Sequence, residues 1–375
     1  MPKVLIVVNV DWFFISHRLC IAEKAVELGW QVLVAAEDTG RSNEIINKGI
    51  TFINMSFSRS GTNFLQESKT LMLFYKLYKK VKPDIIHHVT LKPVIYGSVV
   101  SKLLKVKGTL NAISGLGYNF TSNRQGLVQK VMIRLMKYGF NQNNLSIIFQ
   151  NQDDYQETLK LGIISKFNTI NFIKGSGVNL YEFNYSKPFN NGKIEILLPT
   201  RMLWDKGVSE LREATKILKD KYRGKVLFVL AGLADNDNKA GVPEDYLKDW
   251  EEKDYVKWIG YNKDMVNIYK QSDIVVLPSY REGIPKSLIE ACAVGRPIVT
   301  TNAIGCKECV DEGKNGYKVP VKSILELAIA IEKLILSESD RLRMGNYSRN
   351  KAEKEFSQEM VINKHLNIYK ELYEK

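Results

Sequence analysis

Two glutamates, Glu282 and Glu290, stand eight residues apart in the stretch Ser-Tyr-Arg-Glu-Gly-Ile-Pro-Lys-Ser-Leu-Ile-Glu-Ala that begins at Ser279. The compact apolar run 274–277 before them has the composition of a buried parallel strand. Gly283 permits a tight turn. Pro285 suits a first helical position, where its missing N–H would have no partner anyway. The pattern predicts strand, turn, helix. Glu282 then lies at the carboxyl end of the strand and Glu290 about five residues into the helix, roughly 7 Å along its axis. Unpaired backbone N–H groups of the helix start lie between the two carboxylates and offer an anion site. A ligand with hydroxyls at both ends and phosphates in the middle suits this layout, and a nucleotide-sugar has that form. A plainer reading stands beside it: one solvated surface glutamate, and one favoured by the helix dipole.

A second segment bears on the choice. Residues 194–207, Ile-Glu-Ile-Leu-Leu-Pro-Thr-Arg-Met-Leu-Trp-Asp-Lys-Gly, read as another strand running through a loop into a helix. Arg201 and Lys206 fall at the carboxyl end of that strand, where open α/β sheets bind ligands. Arginine presents a planar fork to a diphosphate and lysine a point charge. Read alone, both are ordinary surface cations; read with the glutamate pair, they point to phosphate.

Arg-x4-Lys-Gly followed some 75 residues later by Glu-x7-Glu resembles the retaining glycosyltransferases of family 4, and the resemblance runs through nearly the whole chain. Gly177-Val178-Asn179 with Phe183, Ala231-Gly232, Trp258-Ile259-Gly260-Tyr261, and Gly305, Glu308, Gly313 and Gly316 all resemble segments of that family. The resemblance implies a GT-B fold, an α/β architecture of two Rossmann-like parallel-sheet domains facing each other across a cleft. Asp-Trp-Phe-Phe-Ile-Ser-His-Arg from Asp11 and Ser-Gly-Leu-Gly-Tyr-Asn-Phe from Ser114 resemble a narrower group. These are bacterial enzymes that extend undecaprenyl-diphosphate-linked sugars for glycan, capsule or O-antigen assembly, the α-1,3-N-acetylgalactosaminyltransferase branch among them.

The length of 375 residues exceeds what one core usually supports, and 45% apolar with 25% charged residues is an ordinary globular composition. Strand-like runs at 4–10, 31–36, 50–55, 84–88, 109–113 and 146–150 alternate with helical stretches, as do those at 194–199, 226–231, 256–259, 274–277 and 297–301. Such alternation argues for parallel sheets covered by helices. The expected division is a first domain over 1–178, a polar linker over 179–193, a second domain over 194–356, and a terminal helix over 357–375 that by resemblance crosses back to the first domain. Four cysteines are too few for a disulfide scaffold. The Cys306-x-x-Cys309 pair lacks the second pair that zinc needs. No apolar run approaches 18 residues, and the short run after Lys3 reads as a first core strand; the expected location is the cytoplasm.

Charge is uneven. Residues 1–190 carry 23 Lys and Arg against 12 Asp and Glu, a net +11, while residues 191–375 carry 31 against 29, a net +2. Two basic, apolar-interleaved stretches, 64–82 and 126–140, have the composition of helices that bind anionic membrane surfaces, at about 1 kcal/mol per basic residue near the surface. Either stripe taken alone also reads as core with solvated lysines. With the asymmetry, peripheral attachment to the inner face of the cell membrane is the expectation. No nucleic-acid-binding motif accompanies the charge, so nucleic acid is not an expected partner.

The resemblance implies chemistry for each motif. A UDP-sugar serves as co-substrate and donor, and a polyprenyl-diphosphate-linked sugar as acceptor. Arg201, Lys206 and Glu282 carry catalysis. Glu290 holds the ribose, while Gly283, Ile284, Pro285, Lys286, Ser287, Gly232 and Tyr261 complete the donor site. Arg201, Lys206 and helix amides would stabilise the departing diphosphate in place of a metal. Asp235-Asn236-Asp237 spells the metal-binding Asp-x-Asp motif but falls in a polar loop and reads as a turn, so no metal or other cofactor is expected. Many family members have a histidine after the strand at 109–113; here Ser114-Gly115-Leu116-Gly117 stands instead, and Gly115 and Gly117 let backbone approach the donor closely. Asp11, as base or hydroxyl ligand, His17, as a diphosphate partner, and Arg18 are the acceptor candidates; His17 reads equally well as a structural histidine. His87 and His88 alternate in direction, so at most one faces the site. Two rival functions remain at this point: another GT-B activity, such as a UDP-sugar epimerase or phosphorylase, or an anionic-lipid binder without turnover. A nicotinamide oxidoreductase is disfavoured, because Asn9-Val-Asp-Trp-Phe-Phe replaces the Gly-x-Gly-x-x-Gly turn.

Overall fold

The computed structural model describes residues 1–56, 64–116, 126–188, 192–235, 238 and 240–375. The chain forms two compact units, residues 1–176 with 359–375, and residues 177–358.

The first unit is built on seven strands: β1 (Lys3–Val10), β2 (Gln31–Glu37), β3 (Thr51–Asn54), β4 (Ile85–Val89), β5 (Gly108–Ile113), β6 (Leu145–Phe149) and β7 (Asn168–Phe172). They lie parallel in the order β3-β2-β1-β4-β5-β6-β7. The register Val4↔Val32 and Val4↔Ile85 places β1 at the sheet's centre, and its side chains leave alternately to two buried faces. Val4, Ile6 and Val8 pack with Ile21, Ala22, Val361, Leu366, Tyr369 and Leu372, so the terminal helix Gln358–Glu374 completes this core. Leu5 and Val7 pack on the other face with Phe74, Tyr78, Ile95 and Met136. A strand covered on both sides has no polar face, which is why these segments read as unbroken apolar runs.

The second unit repeats the plan with six strands: β8 (Ile194–Pro199), β9 (Val226–Ala231), β10 (Val256–Gly260), β11 (Ile274–Leu277), β12 (Ile298–Thr301) and β13 (Gly316–Val319), in the order β10-β9-β8-β11-β12-β13. β11 lies against β8, with Ile274↔Ile196 and Val275↔Leu197, although some 75 residues separate them. That neighbourhood brings the loops after the two strands together. Arg296 is fully buried here, and its guanidinium donates to the carbonyls of Tyr269, Lys270 and Ser186 and to the Ser186 hydroxyl at 2.7–2.9 Å. It thereby caps the carboxyl end of the helix Met265–Gln271 with positive charge. Burial lowers its pKa to about 10. None of the described helices is long and apolar enough to cross a membrane.

Candidate active site

Lys206 ends a 3₁₀ turn, Trp204–Lys206, in the loop after β8, and Glu282 lies in the loop after β11. Their side chains form an ion pair, 13% and 17% exposed. Ser279 Oγ donates to Glu282 Oε1 at 2.9 Å, so the same carboxylate oxygen meets both the ammonium and the hydroxyl. The backbone ties the two loops as well, Tyr280 N donating to Asp205 O at 2.9 Å, while Glu282 N donates to Ile304 O at 3.0 Å in the loop after β12. Two glycines make this close approach feasible. Gly207 has φ +74°, and a Cβ there would overlap the Pro278 carbonyl. Gly305 has φ +82°, and a Cβ there would overlap the carbonyl oxygens of Gly283 and Glu282.

Gly305→Ala is therefore expected to damage the site, beyond the backbone strain of about 1–3 kcal/mol that a non-glycine residue suffers in a disfavoured conformation. Gly313, with φ +71° and open space around its missing Cβ, isolates that strain. Urea unfolding of both alanine variants should show Gly305→Ala the more destabilised. Equal losses would mean that the 282–283 turn yields freely.

The helix after this loop, Lys286–Val294, begins behind Pro285 with no side-chain cap. Leu288 N and Ile289 N donate to Pro285 O, which leaves the amides of Lys286 and Ser287 outside the helical ladder. Glu290, fifth in the helix, has a side chain 13% exposed and pairs with Lys286 Nζ at 3.6 Å. Burial raises its pKa, with Lys286 opposing the shift. Tyr269, fully buried, donates its hydroxyl to Ser287 O at 3.0 Å and so braces the first turn. Neither Ser279 nor Tyr269 stood out in the sequence. Ser279 could have been found three residues before Glu282; Tyr269 reads as an ordinary core aromatic.

Arg201 is not brought to this pair. Its side chain is 55% exposed, and its guanidinium meets Asp235 at 3.3 Å. The first residue of the Asp-x-Asp spelling thus serves as that arginine's partner; Asn236 and Asp237 lie outside the described residues. Gly232 donates its N–H to Gly260 O and accepts from Trp258 Nε1 at 2.8 Å, which locks the turn after β9 to the end of β10. Tyr261, one residue on, is 62% exposed. Ile284 packs its side chain into the core, so only its backbone faces the loop's ligand side. The CxxC segment is closed to chemistry: Cys306 and Cys309 are fully buried, and burial pushes the Cys306 thiol up to about 12.

In the first unit, the structure corrects the acceptor candidates. Asp11 is fully buried, and its carboxylate accepts from Trp12 N, Thr39 N, Thr39 Oγ1 and Arg41 N at 2.5–3.0 Å. With its acceptor capacity spent on the loop after β2, it organises that loop and is not poised as a base. Arg18 is 2% exposed, lies among core groups near Tyr369, His87 and His365, and donates to His17 O. The His17 ring stacks on Phe13, with centroids 4.0 Å apart, and its Nδ1 lies 2.6 Å from Ser16 Oγ, which is the structural alternative. His87 and His88 point to opposite faces of β4 as alternation demands, but both are fully buried, and neither faces a site. Gly115 has φ +124°; Gly117 lies outside the described residues.

Two parallel α/β units with cations and helix amides at the strand ends have the layout in which open α/β sheets bind ligands. The comparisons with known proteins agree. The family model Glycosyl transferase 4-like matches residues 3–151, and Glycosyl transferases group 1 matches residues 182–351. The chain belongs to these glycosyltransferases and has the GT-B fold. It is 28% identical to the N,N'-diacetylbacillosaminyl-diphospho-undecaprenol alpha-1,3-N-acetylgalactosaminyltransferase of Campylobacter jejuni, over 95% of this chain and 97% of that one. It is 25% identical to the UDP-Gal:alpha-D-GlcNAc-diphosphoundecaprenol alpha-1,3-galactosyltransferase of Escherichia coli, over 83% of this chain and 80% of that one. The crystal structure of Anabaena HepE in complex with UDP and glucose superposes with a TM-score of 0.78 at 16% identity, covering 99% of this chain and all of that one. That likeness concerns the fold.

Proposed function

We propose that this chain transfers a sugar, an N-acetylhexosamine as first choice, from a UDP-sugar to an undecaprenyl-diphosphate-linked sugar, with retention of configuration and without a metal ion. The observation that carries this reading is the Lys206–Glu282 pair beside an uncapped helix start. The activities named for the Campylobacter and Escherichia relatives support the acceptor class.

The second unit would hold the donor. Glu290 accepts the ribose hydroxyls, and Glu282 orients the donor sugar. As the sugar–phosphate bond breaks, negative charge grows on the departing diphosphate. Lys206 and the Lys286 and Ser287 amides meet that charge, joined by Arg201 once its guanidinium leaves Asp235. The acceptor hydroxyl attacks from the same face, and the departing phosphate takes its proton, so no protein nucleophile is needed.

The first unit would lie against the inner face of the membrane. Its helix Phe64–Val81 exposes Met72, Leu73 and Tyr75 beside Lys76, Lys79 and Lys80, while Phe74, Leu77 and Tyr78 point into the core. The helix Leu127–Phe140 exposes Leu127, Val128, Val131 and Tyr138 beside Lys130, Arg134 and Lys137. Each helix therefore has apolar residues beyond those the core uses, as interfacial helices do.

A panel of UDP-sugars with a synthetic lipid-diphosphate N-acetylhexosamine, assayed in EDTA and with the product anomer set by NMR, tests the proposal. The expected outcome is transfer with an α linkage, undiminished by EDTA. Loss of activity in EDTA overturns the metal-free route, a β product overturns retention, and an epimerised UDP-sugar formed without acceptor redirects the assignment.

A further inference from the structure

The helix Ile324–Leu336 is apolar on both sides. Only Glu326, Glu332 and Lys333 are polar among its 13 residues. Leu327, Ala330, Ile331, Leu334 and Ile335 belong to the core of the second unit. Leu325, Ile329 and Leu336 do not. They follow one another at intervals of four and then seven residues, so they form one stripe along the outside of the helix. Ile217, on the neighbouring helix Val208–Tyr222, lines the same groove as Leu325 and Ile329. These four side chains are 43–67% exposed. Single exposed apolar residues are ordinary; a contiguous stripe on a helix whose other side is already buried marks a surface that something covers.

The charges around the stripe fit one kind of cover. Glu332, at its edge, is already matched: it accepts from Lys221 Nζ at 2.6 Å and from Tyr222 Oη at 2.7 Å. Glu326 and Lys333, seven residues apart, stand along the other flank, and both are exposed. They lie at nearly equal distances from Ala330, the helix's midpoint. An identical helix laid antiparallel across the stripe sets Glu326 against Lys333 of the second copy, and Lys333 against its Glu326, while Leu325 meets Leu336. A parallel pair would set like charges together. A strongly acidic or basic partner would call for a flank of one sign, whereas a surface that satisfies itself under a two-fold axis fits a second copy of the chain. Residues 191–375 also carry a net charge of only +2, so copies approach by this unit without the repulsion that +11 brings to the first half.

We propose that the chain pairs with a second copy of itself through this face, the two 324–336 helices lying antiparallel at the two-fold axis. Sedimentation equilibrium of the full chain over a concentration series tests it. The patch is small, so the expected dissociation constant is about 10 µM. Ile329→Glu and Lys333→Glu should each weaken pairing about tenfold or more at an unchanged melting temperature. Adding Glu326→Lys to Lys333→Glu should restore pairing. That second change also removes the hydrogen bond from Ser323 to Glu326 at the helix start, so the recovery cannot come from a repaired fold. A parent that stays monomeric throughout the series overturns the proposal, as does a dimer that both single variants leave intact or a charge swap that fails to recover pairing. A monomeric parent that pellets with phosphatidylglycerol vesicles, and whose Ile329→Glu variant does not, gives the face to a membrane and overturns the pairing as well.

Discussion

Lys206→Ala is expected to lower the transfer rate by about 10²–10³, as removal of one preorganised charge-stabilising group does in enclosed sites. The cation is half of an ion pair whose members are each less than a fifth exposed, and it sits where the loops after β8 and β11 meet. In the ligand-free protein its charge is matched by Glu282; with donor present, the diphosphate competes for it. Loss of the ammonium also leaves Glu282 with Ser279 as its remaining side-chain donor among the described residues, at a stability cost of about 1–3 kcal/mol for a poorly compensated buried group. The two effects separate in the pair of variants Lys206→Ala and Lys206→Ala/Glu282→Gln. Neutralising the glutamate should restore most of the urea stability and none of the transfer rate. A single variant that turns over the UDP-sugar at the parent rate would sink the catalytic role of Lys206.

What the sequence disclosed about this site was its local part. Glu282, Pro285 and Glu290 occupy one strand–loop–helix segment, and the structure places them there, with Glu290 fifth in the helix. The Lys206–Glu282 contact was not legible, because it depends on β8 and β11 being neighbours, and sheet order is not written in either segment. Asp11 misled for a related reason. A carboxylate beside aromatic residues at a strand's end looks available until the amides of residues 39 and 41 are seen to occupy it.

The fold shows the same division. Strands buried on both faces stood out as apolar runs. β7, Asn-Thr-Ile-Asn-Phe, and β13, Gly-Tyr-Lys-Val, were missed. Each lies at a sheet edge with one neighbouring strand and several half-buried residues, so its sequence keeps polar side chains that an interior strand would exclude.

The other large effect concerns acid. The chain's four histidines, His17, His87, His88 and His365, all belong to the first unit, and three of them are buried. His88 sits in a chain of hydrogen bonds, 2.7 Å from Tyr78 Oη and 2.7 Å from Asn111 Oδ1, and burial lowers its pKa to about 4. His365 donates from Nδ1 to Val361 O, and burial with the nearby Arg18 charge lowers its pKa to about 3. His87, 2.7 Å from Tyr369 Oη, is lowered well below its ordinary value by burial, then by His365 and Arg18. All three stay neutral when folded and titrate near pH 6.5 when unfolded. Their full contribution is thus present above that pH. Below it the unfolded chain binds protons that the folded one refuses, and stability falls by about 1.4 kcal/mol per pH unit for each histidine. At pH 5 His88 and His365 together remove about 4 kcal/mol, a large fraction of a typical domain's stability, and His87 acts in the same direction. The second unit has no histidine, and the buried carboxyls Glu290 and Asp273 there have raised pKa values, so protonation relieves them as the pH falls. Urea unfolding followed at pH 7 and pH 5 should therefore show the first unit losing stability well ahead of the second. A stably folded His88→Gln variant should reduce the first unit's pH slope below pH 6 by about 1.4 kcal/mol per pH unit. Equal acid sensitivity of the two units would show that these imidazoles accept protons where they stand.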